Sequence, residues 1–304
     1  MESPLSTKER NMVKRITVFT PTYNRAELLP NLYESLLRQS CRDFRWLVID
    51  DGSTDNTEEV VAAWIREGKI DIQYVRKENG GLHTGYNKAI ESMDTELSIC
   101  IDSDDYLTDV CIETVLKFWD EHKAEDIAGI IGLDITEDGH VIAGNLPNEK
   151  VINPLMLLAS KENGDRKYVI RNDCYRKVYP MPVFEGEKNF NPHYLVLKMC
   201  RDYKFLVLNK PLCVVNYQPD GMSANIFRQY LNSPRSFAEL RRVIMENPDV
   251  PFSYLVKTTI HYVSSSILSK NMNFVRESPR KLLTVLMIPF GLLLTGYIKK
   301  KTTK

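Results

Sequence analysis

Two clusters of carboxylates stand where apolar runs stop. Residues 44–49 (FRWLVI) end at Asp50-Asp51-Gly52-Ser53, and residues 97–101 (LSICI) end at Asp102-Ser103-Asp104-Asp105. Like charges at close range raise one another's pKa and are costly unless something positive meets them. A divalent cation answers that need, since magnesium and manganese take one or two carboxylates together with oxygens of a substrate phosphate. Asp and Ser also favour helix N-caps, so Asp50-Asp51 alone reads equally well as a solvated cap. The second cluster tips the balance toward a metal with its ligand. No G-x-G-x-x-G follows the first apolar run and no G-x-x-x-x-G-K-[ST] occurs anywhere, so dinucleotide-binding and P-loop chemistry lose their main support. Any phosphate bound here must be neutralised by something other than a glycine cradle.

The elements that position these carboxylates follow a regular beat. Residues 16–20 are a β-branched run ending in the turn Pro21-Thr22-Tyr23-Asn24, and Leu29, Leu32, Leu36 and Leu37 then recur at helical spacing. After residues 44–49, Thr54 with Thr57 and Glu58 offers N-cap chemistry for a helix carrying Val60, Val61, Trp64 and Ile65. A third strand over 70–75 leads into Gly80-Gly81 and a helix through Ala89 and Met93, and a fourth over 97–101 precedes a helix with Val110, Val115, Leu116 and Trp119. Strand, turn and helix repeated in this way predict an α/β chain with a mostly parallel sheet flanked by helices. Right-handed crossovers put every strand's carboxyl end on one edge. Tyr23, Asp51, His83, Asp102 and Asp104, distant in the chain, should therefore line one crevice, where open α/β sheets bind ligands.

The second half is less regular. Residues 127–133, 141–142 and 168–170 read as strands, 192–200 as a helix, and 205–208 and 212–215 as two short strands. Beyond Asp220-Gly221 the chain reads as helical. Residues 282–298 carry no charge over 17 positions, between Arg280-Lys281 and Lys299-Lys300-Lys301, and are interrupted by Pro289, Gly291 and Gly296. Seventeen residues is the lower limit for crossing a hydrocarbon core. The reading is an anchor at a membrane surface, its lysines meeting anionic head groups; a helix buried against the rest of the chain is the alternative.

Composition bounds the rest. The 304 residues, 43% apolar and 26% charged, suit a globular chain with a sizeable core, and 40 basic residues balance 40 acidic ones. That balance gives no ground for a nucleic-acid partner. The six cysteines show no C-x-x-C spacing and read as reduced, packed thiols. The first fifteen residues lack an apolar signal region, which points to a cytoplasmic location.

The runs ITVFTPTYNRAELLPNLYESLLRQS, FRWLVIDDGSTDNT, ENGGLHTGYNKAI and LSICIDSDDYL together resemble the nucleotide-sugar domain of glycosyltransferase family 2, inverting enzymes with the glycosyltransferase A fold. The resemblance is good over about 14–120 and looser to about 225. It implies a catalytic domain over 14–225, divided into a nucleotide-sugar-binding part (14–120) and an acceptor part (121–225), followed by a helical C-terminal extension over 226–304. It further implies that Pro21 and Tyr23 hold the uracil end of a UDP-sugar, that Asp51 accepts a hydrogen bond from the base, and that Asn79 lies close to the nucleotide. Asp102 and Asp104 would form the D-x-D pair, near ribose and metal (Mn2+ or Mg2+), with Asp105 as an alternative ligand. Many relatives carry Ala-Arg-Asn where this chain has Gly85-Tyr86-Asn87. The arginine's phosphate contact is thus missing, and His83 or Lys88 could replace it.

Inverting transfer needs a carboxylate opposite the leaving diphosphate to take the acceptor hydroxyl's proton. Relatives place one where this chain has FEGEKNFNP, and Glu187 is the best match, with Glu185 next. YQPDGMSAN resembles a segment bordering the acceptor in some relatives. The resemblance therefore implies a metal-dependent transferase moving a sugar from a nucleotide-sugar donor to a saccharide or lipid-linked acceptor of cell-surface polysaccharide synthesis, at the inner face of the membrane. A nucleotidyltransferase, or a membrane-associated scaffold that keeps the fold without chemistry, is the alternative.

Overall fold

A computed structural model describes residues 14–158, 164–216 and 226–302. Strand β1 (Ile16–Thr22) is buried along its whole length, as its β-branched run requires. Leu29, Leu32, Tyr33 and Leu36 form the buried face of α1 (Leu29–Leu37). The beat then continues through β2 (Phe44–Asp50), α2 (Thr57–Glu67), β3 (Ile72–Arg76), α3 (Leu82–Ser92), β4 (Leu97–Cys100), the short β5 (Tyr106–Leu107) and α4 (Cys111–His122). Thr54 does not cap α2; Asp55 does part of that work, its Oδ1 accepting the Thr57 N–H at 3.1 Å and hydroxyl at 2.6 Å.

The second half supplies β6 (Ile127–Ile135), β7 (Val151–Ile152), the single-turn α5 (Leu155–Leu158), β8 (Arg166–Arg171), α6 (Asn172–Val178), α7 (His193–Met199) and β9 (Lys204–Val214). The nine strands form one sheet in the order β3-β2-β1-β4-β8-β6-β9-β5, with β7 on β9. The first four pair in parallel, whereas β8 runs antiparallel between β4 and β6. The sheet is therefore mixed beyond its first four strands. Two sequence expectations are corrected here. Residues 205–208 and 212–215 are one strand, carried past Pro211 by register shifts against β6. Residues 141–142 contribute only an isolated bridge between Ile135 and Val141.

Alternate strand residues feed two cores, one on each face. Val18, Trp46, Val48 and Val169 pack with α1, α2 and α4, while Phe19, Leu47, Ile49 and Ile170 pack with α3, α6 and α7. The second core continues into a helical layer, α8 (Ile226–Asn232), α9 (Pro234–Glu246), α10 (Phe252–Leu268), α11 (Phe274–Glu277) and α12 (Lys281–Thr302). Helix α12 runs through Pro289 without a break, so the expected interruption does not occur. Gly291 has a packing role instead: a Cβ there would lie 2.4 Å from Val263 Cγ1, so only glycine lets α12 sit directly on α10. All six cysteines are free, four of them buried, as expected of packed thiols.

Candidate active site

The parallel register brings strand ends together: Thr22 pairs with Asp50, and Asp50 with Arg76. Pro21, near the end of β1, is buried, and Tyr23, just beyond the strand, is 47% exposed, its ring open to a ligand. Asn24 turns left-handed (φ 52°) and its Oδ1 accepts the Thr54 N–H at 2.7 Å, while the Ala26 N–H donates to Asp55 Oδ2 at 3.0 Å. The backbone around Arg25 is thus pinned to the head of α2. The Arg25 side chain reaches across the crevice to Asp104, Nη1 to Oδ2 at 2.8 Å.

The two aspartates after β2 divide their duties. Asp50 is fully buried, taking the Ser53 N–H at 2.7 Å and the Tyr74 hydroxyl. It closes a turn and faces no ligand. Asp51 organises the next loop: its oxygens accept from Lys77 Nζ, the Gly80 N–H (3.0 Å), the Gly81 N–H (2.7 Å) and Asn79 Nδ2 (3.2 Å). Asn79 is therefore held in place by Asp51, and its Oδ1 accepts from Lys188 Nζ. Gly81 adopts φ 93°, and a Cβ there would lie 2.0 Å from Lys188 O. The segment carrying Glu185 and Glu187 is in this way pressed against the loop that Asp51 holds.

His83 lies in the first turn of α3 with no exposed surface and, among the described residues, no hydrogen-bond partner for either ring nitrogen. Burial lowers its pKa more than the nearby carboxylates of Asp51 and Glu187 raise it. It is neutral and supplies no cation to a phosphate, contrary to expectation. Lys88 fails too, being paired with Glu91 on the outer side of the same helix at 3.2 Å. Tyr86, at the position of the missing arginine, packs edge-on against Phe19 at 5.0 Å.

Glu187 is buried, and four donors fill its acceptor positions. Oε1 takes the Arg235 N–H (2.9 Å) and Nε–H (3.1 Å), and Oε2 takes the Ser236 N–H (2.8 Å) and hydroxyl (2.7 Å). Those N–H groups belong to the first turn of α9, where unpaired donors and the helix dipole favour a carboxylate. Glu187 is thus a helix cap delivered from a distant loop. Glu185, two residues earlier, is exposed.

Around the D-x-D pair negative charge exceeds positive. Asp102 is open to water along one side but walled by protein elsewhere, and this desolvation, with Asp104 beside it, raises its pKa against the pull of Lys167. Asp105 is buried, accepts the Asn216 N–H at 3.1 Å, and is pushed up to about 7 mainly by burial. Behind it Lys167 stands 3.9 Å from Asp105 and 3.8 Å from Asp134, whose own pKa burial lifts to about 6. One buried lysine cannot compensate so many carboxylates. Among the described residues no three acidic, histidine or cysteine groups converge as a ready cation cage. The open Asp102 with Asp104 fits a magnesium or manganese ion that draws its other ligands from a substrate, whereas Asp105 is already engaged on the protein side.

Sequence reasoning missed Arg25, Asp55, Lys77, Lys167, Asp134 and Arg235. Their site roles depend on partners 26 to 79 positions away, which no local pattern reports; Asp134, at the end of an apolar run, carried the one available signal. Segment 217–225, which is the whole of YQPDGMSAN, lies outside the described residues.

Comparison with known proteins bears on the fold and the family. The chain is 22% identical to a hyaluronan synthase of Pasteurella multocida over 313 aligned positions, covering 98% of this chain but only 31% of that relative. The fold matches Staphylococcus aureus TarS 1–349 in complex with UDP-GlcNAc (TM-score 0.64, 16% identity, 95% of this chain and 91% of that one). It also matches the mannosyltransferase PcManGT of Pyrobaculum calidifontis in complex with GDP-Man and Mn2+ (TM-score 0.58, 15% identity, 94% and 88%). The profile of glycosyl transferase family 2 covers residues 17–171, about half the chain, and the protein belongs to that family.

Proposed function

We propose that the chain transfers a sugar with inversion from a nucleotide-sugar donor, a UDP-sugar, to a saccharide or lipid-linked acceptor in the synthesis of a cell-surface polysaccharide. The observation that carries this reading is the meeting of Tyr23, the Asp51–Asn79 loop and the Asp102/Asp104 pair on one sheet edge, with unbalanced negative charge where a cation-bound diphosphate would lie. Tyr23 offers its ring to the base beside Pro21. Asp51 receives the base N–H in exchange for one of its present donors, Lys77 being the only one of them that is not part of the Asn79–Gly81 loop. Asp104 with Asp102 would hold Mn2+ or Mg2+, which when bound supplies Lewis-acid charge at the departing diphosphate.

The acceptor hydroxyl attacks the anomeric carbon as the bond to the diphosphate breaks, and its proton passes to a carboxylate on the opposite face. Glu187 is filled by the head of α9, so we assign that proton to Glu185, the accessible carboxylate of the same loop. Titration of the full chain with UDP, with and without manganese, tests the donor reading; metal-dependent binding is expected. Asp104→Ala should abolish manganese-dependent UDP release. Undiminished release in that variant would remove the D-x-D assignment, whereas no release by the unsubstituted chain would leave the scaffold alternative standing.

Helix α12 supports placement at the inner face of a membrane. Thr284, Gly291, Thr295 and Ile298 are its buried residues, and Thr295 Oγ1 donates to Ser264 Oγ of α10 at 3.0 Å. The opposite face exposes Leu282 (77%), Leu286, Phe290 and Leu293 (73%), where a water-facing helix would be polar. It is long and apolar enough to cross a membrane, but crossing would break the Gly291–Val263 seam. Lying in the interface keeps that seam, and Lys299, Lys300 and Lys301 then face anionic head groups. A second copy would bring lysines against lysines, so a lipid surface is the better partner.

A further inference from the structure

The family's phosphate-binding arginine is absent at position 86, and the residues first offered in its place do not serve: His83 is neutral and sealed, and Lys88 lies on an outer helix face paired with Glu91. Lys167 is shut behind Asp105 and Asp134, while Lys77 and Lys188 are committed to Asp51 and Asn79 at the loop assigned to the base. A guanidinium nevertheless stands at the D-x-D pair. Arg25 Nη1 donates to Asp104 Oδ2, and its side chain keeps 35% exposure. Its backbone is fixed on both sides, by Asn24 bonded to Ser53 and Thr54 and by the Ala26 N–H on Asp55, so only the side chain has freedom to move.

We infer that Arg25 is the residue that grips the donor's diphosphate, and that Asp104 holds it beside the crevice until the donor arrives. A planar guanidinium suits two phosphate oxygens at once, which a lysine ammonium cannot match. Pairing with Asp104 keeps Arg25 pointed at the crevice floor and offsets part of the carboxylate excess there. Arg25 and a divalent cation compete for the same Asp104 oxygens. Binding of donor with cation therefore frees the guanidinium at the place where the diphosphate's charge must be met.

The inference rests on the UDP-sugar reading, and one set of titrations separates the two. In calorimetry on the full chain, Arg25→Ala should weaken UDP binding by about tenfold to a hundredfold, since a charge-assisted bidentate contact is lost. UMP, which lacks the second phosphate, should lose less than about threefold. Arg25→Lys should fall between, because charge stays but the fork is lost. Manganese binding without nucleotide should tighten in Arg25→Ala, as Asp104 is released. Thermal melting of both variants checks that the fold is intact. A UDP-to-UMP affinity ratio unchanged from wild type in the folded variants overturns the assignment, and unchanged manganese binding overturns the holding role of Asp104. If the wild-type chain binds no UDP at all, the donor reading falls first and takes this one with it.

Discussion

Glu187→Gln separates two roles that a buried carboxylate in this loop could fill. As a cap, Glu187 satisfies four donors: two backbone N–H groups of the first turn of α9, the Arg235 guanidinium and the Ser236 hydroxyl. Glutamine has the same shape but one acceptor oxygen, and its NH2 would face donors. With its oxygen toward Arg235 both of those contacts survive and the Ser236 hydroxyl can turn to accept from the NH2, which leaves the buried Ser236 N–H without an acceptor. A buried donor stranded in this way costs the fold about 1–3 kcal/mol. For a chain of this size that lowers the melting temperature by roughly 2–5 °C. Glu185→Gln, at an exposed position, should shift stability by less than about 0.5 kcal/mol but slow transfer by about 10²–10⁴, the usual contribution of a general base. The assay is thermal melting beside single-turnover sugar transfer, run well below the melting point of either variant. If Glu187→Gln melts like wild type yet loses a hundredfold or more in transfer, the capping argument is wrong and the proton goes to Glu187.

Two further outcomes are expected. Burial holds His193 and His261 near pKa 4, below about 6.5 in an unfolded chain. The unfolded state takes up protons the fold refuses, so stability falls as pH drops from about 6.5 to 4, by on the order of 3 kcal/mol per histidine. Melting curves across that window should flatten in the double variant His193→Gln/His261→Gln; an unchanged slope would locate the acid sensitivity elsewhere. Leu286→Glu/Leu293→Glu should abolish flotation with phosphatidylglycerol-containing vesicles while melting like wild type, because both side chains are exposed. Retained flotation would remove α12 from the membrane reading.

The sequence made the nucleotide half of this fold legible because direction is local information there. A β-branched run that ends abruptly in carboxylates fixes where a parallel strand stops, and right-handed crossovers then fix which edge it stops on. Tyr23, Asp51 and Asp102 could be gathered on that basis alone. What each does once gathered is not local. Asp51 reads as a ligand for a base, yet its oxygens hold Lys77 and the Asn79–Gly81 loop. Glu187 reads as a base, yet it meets a helix that begins 47 residues later. Pro289 reads as a break, yet α12 runs through it, and residues 205–208 and 212–215 read as two strands, yet register shifts against β6 make them one.

These departures share a cause. Residue type and spacing report the charge a carboxylate could bring to a ligand, but a folded chain also offers each one competing donors: backbone N–H groups at helix heads, and cations from loops folded alongside. Asp50, Asp105 and Glu187 accept bonds from main-chain donors and are buried. Asp102 stays open, and Asp104 is met by a side chain that can swing away. Type and spacing thus nominate acidic residues for chemistry, while the supply of fixed donors decides which remain available for it. A carboxylate held by main-chain N–H groups can be freed only by moving backbone, whereas one held by an exposed arginine is freed by a side-chain rotation. That difference is why Asp102 and Asp104, rather than the acids packed around them, are the part of the cluster whose oxygens a side-chain rotation can make available, as the proposed donor role requires.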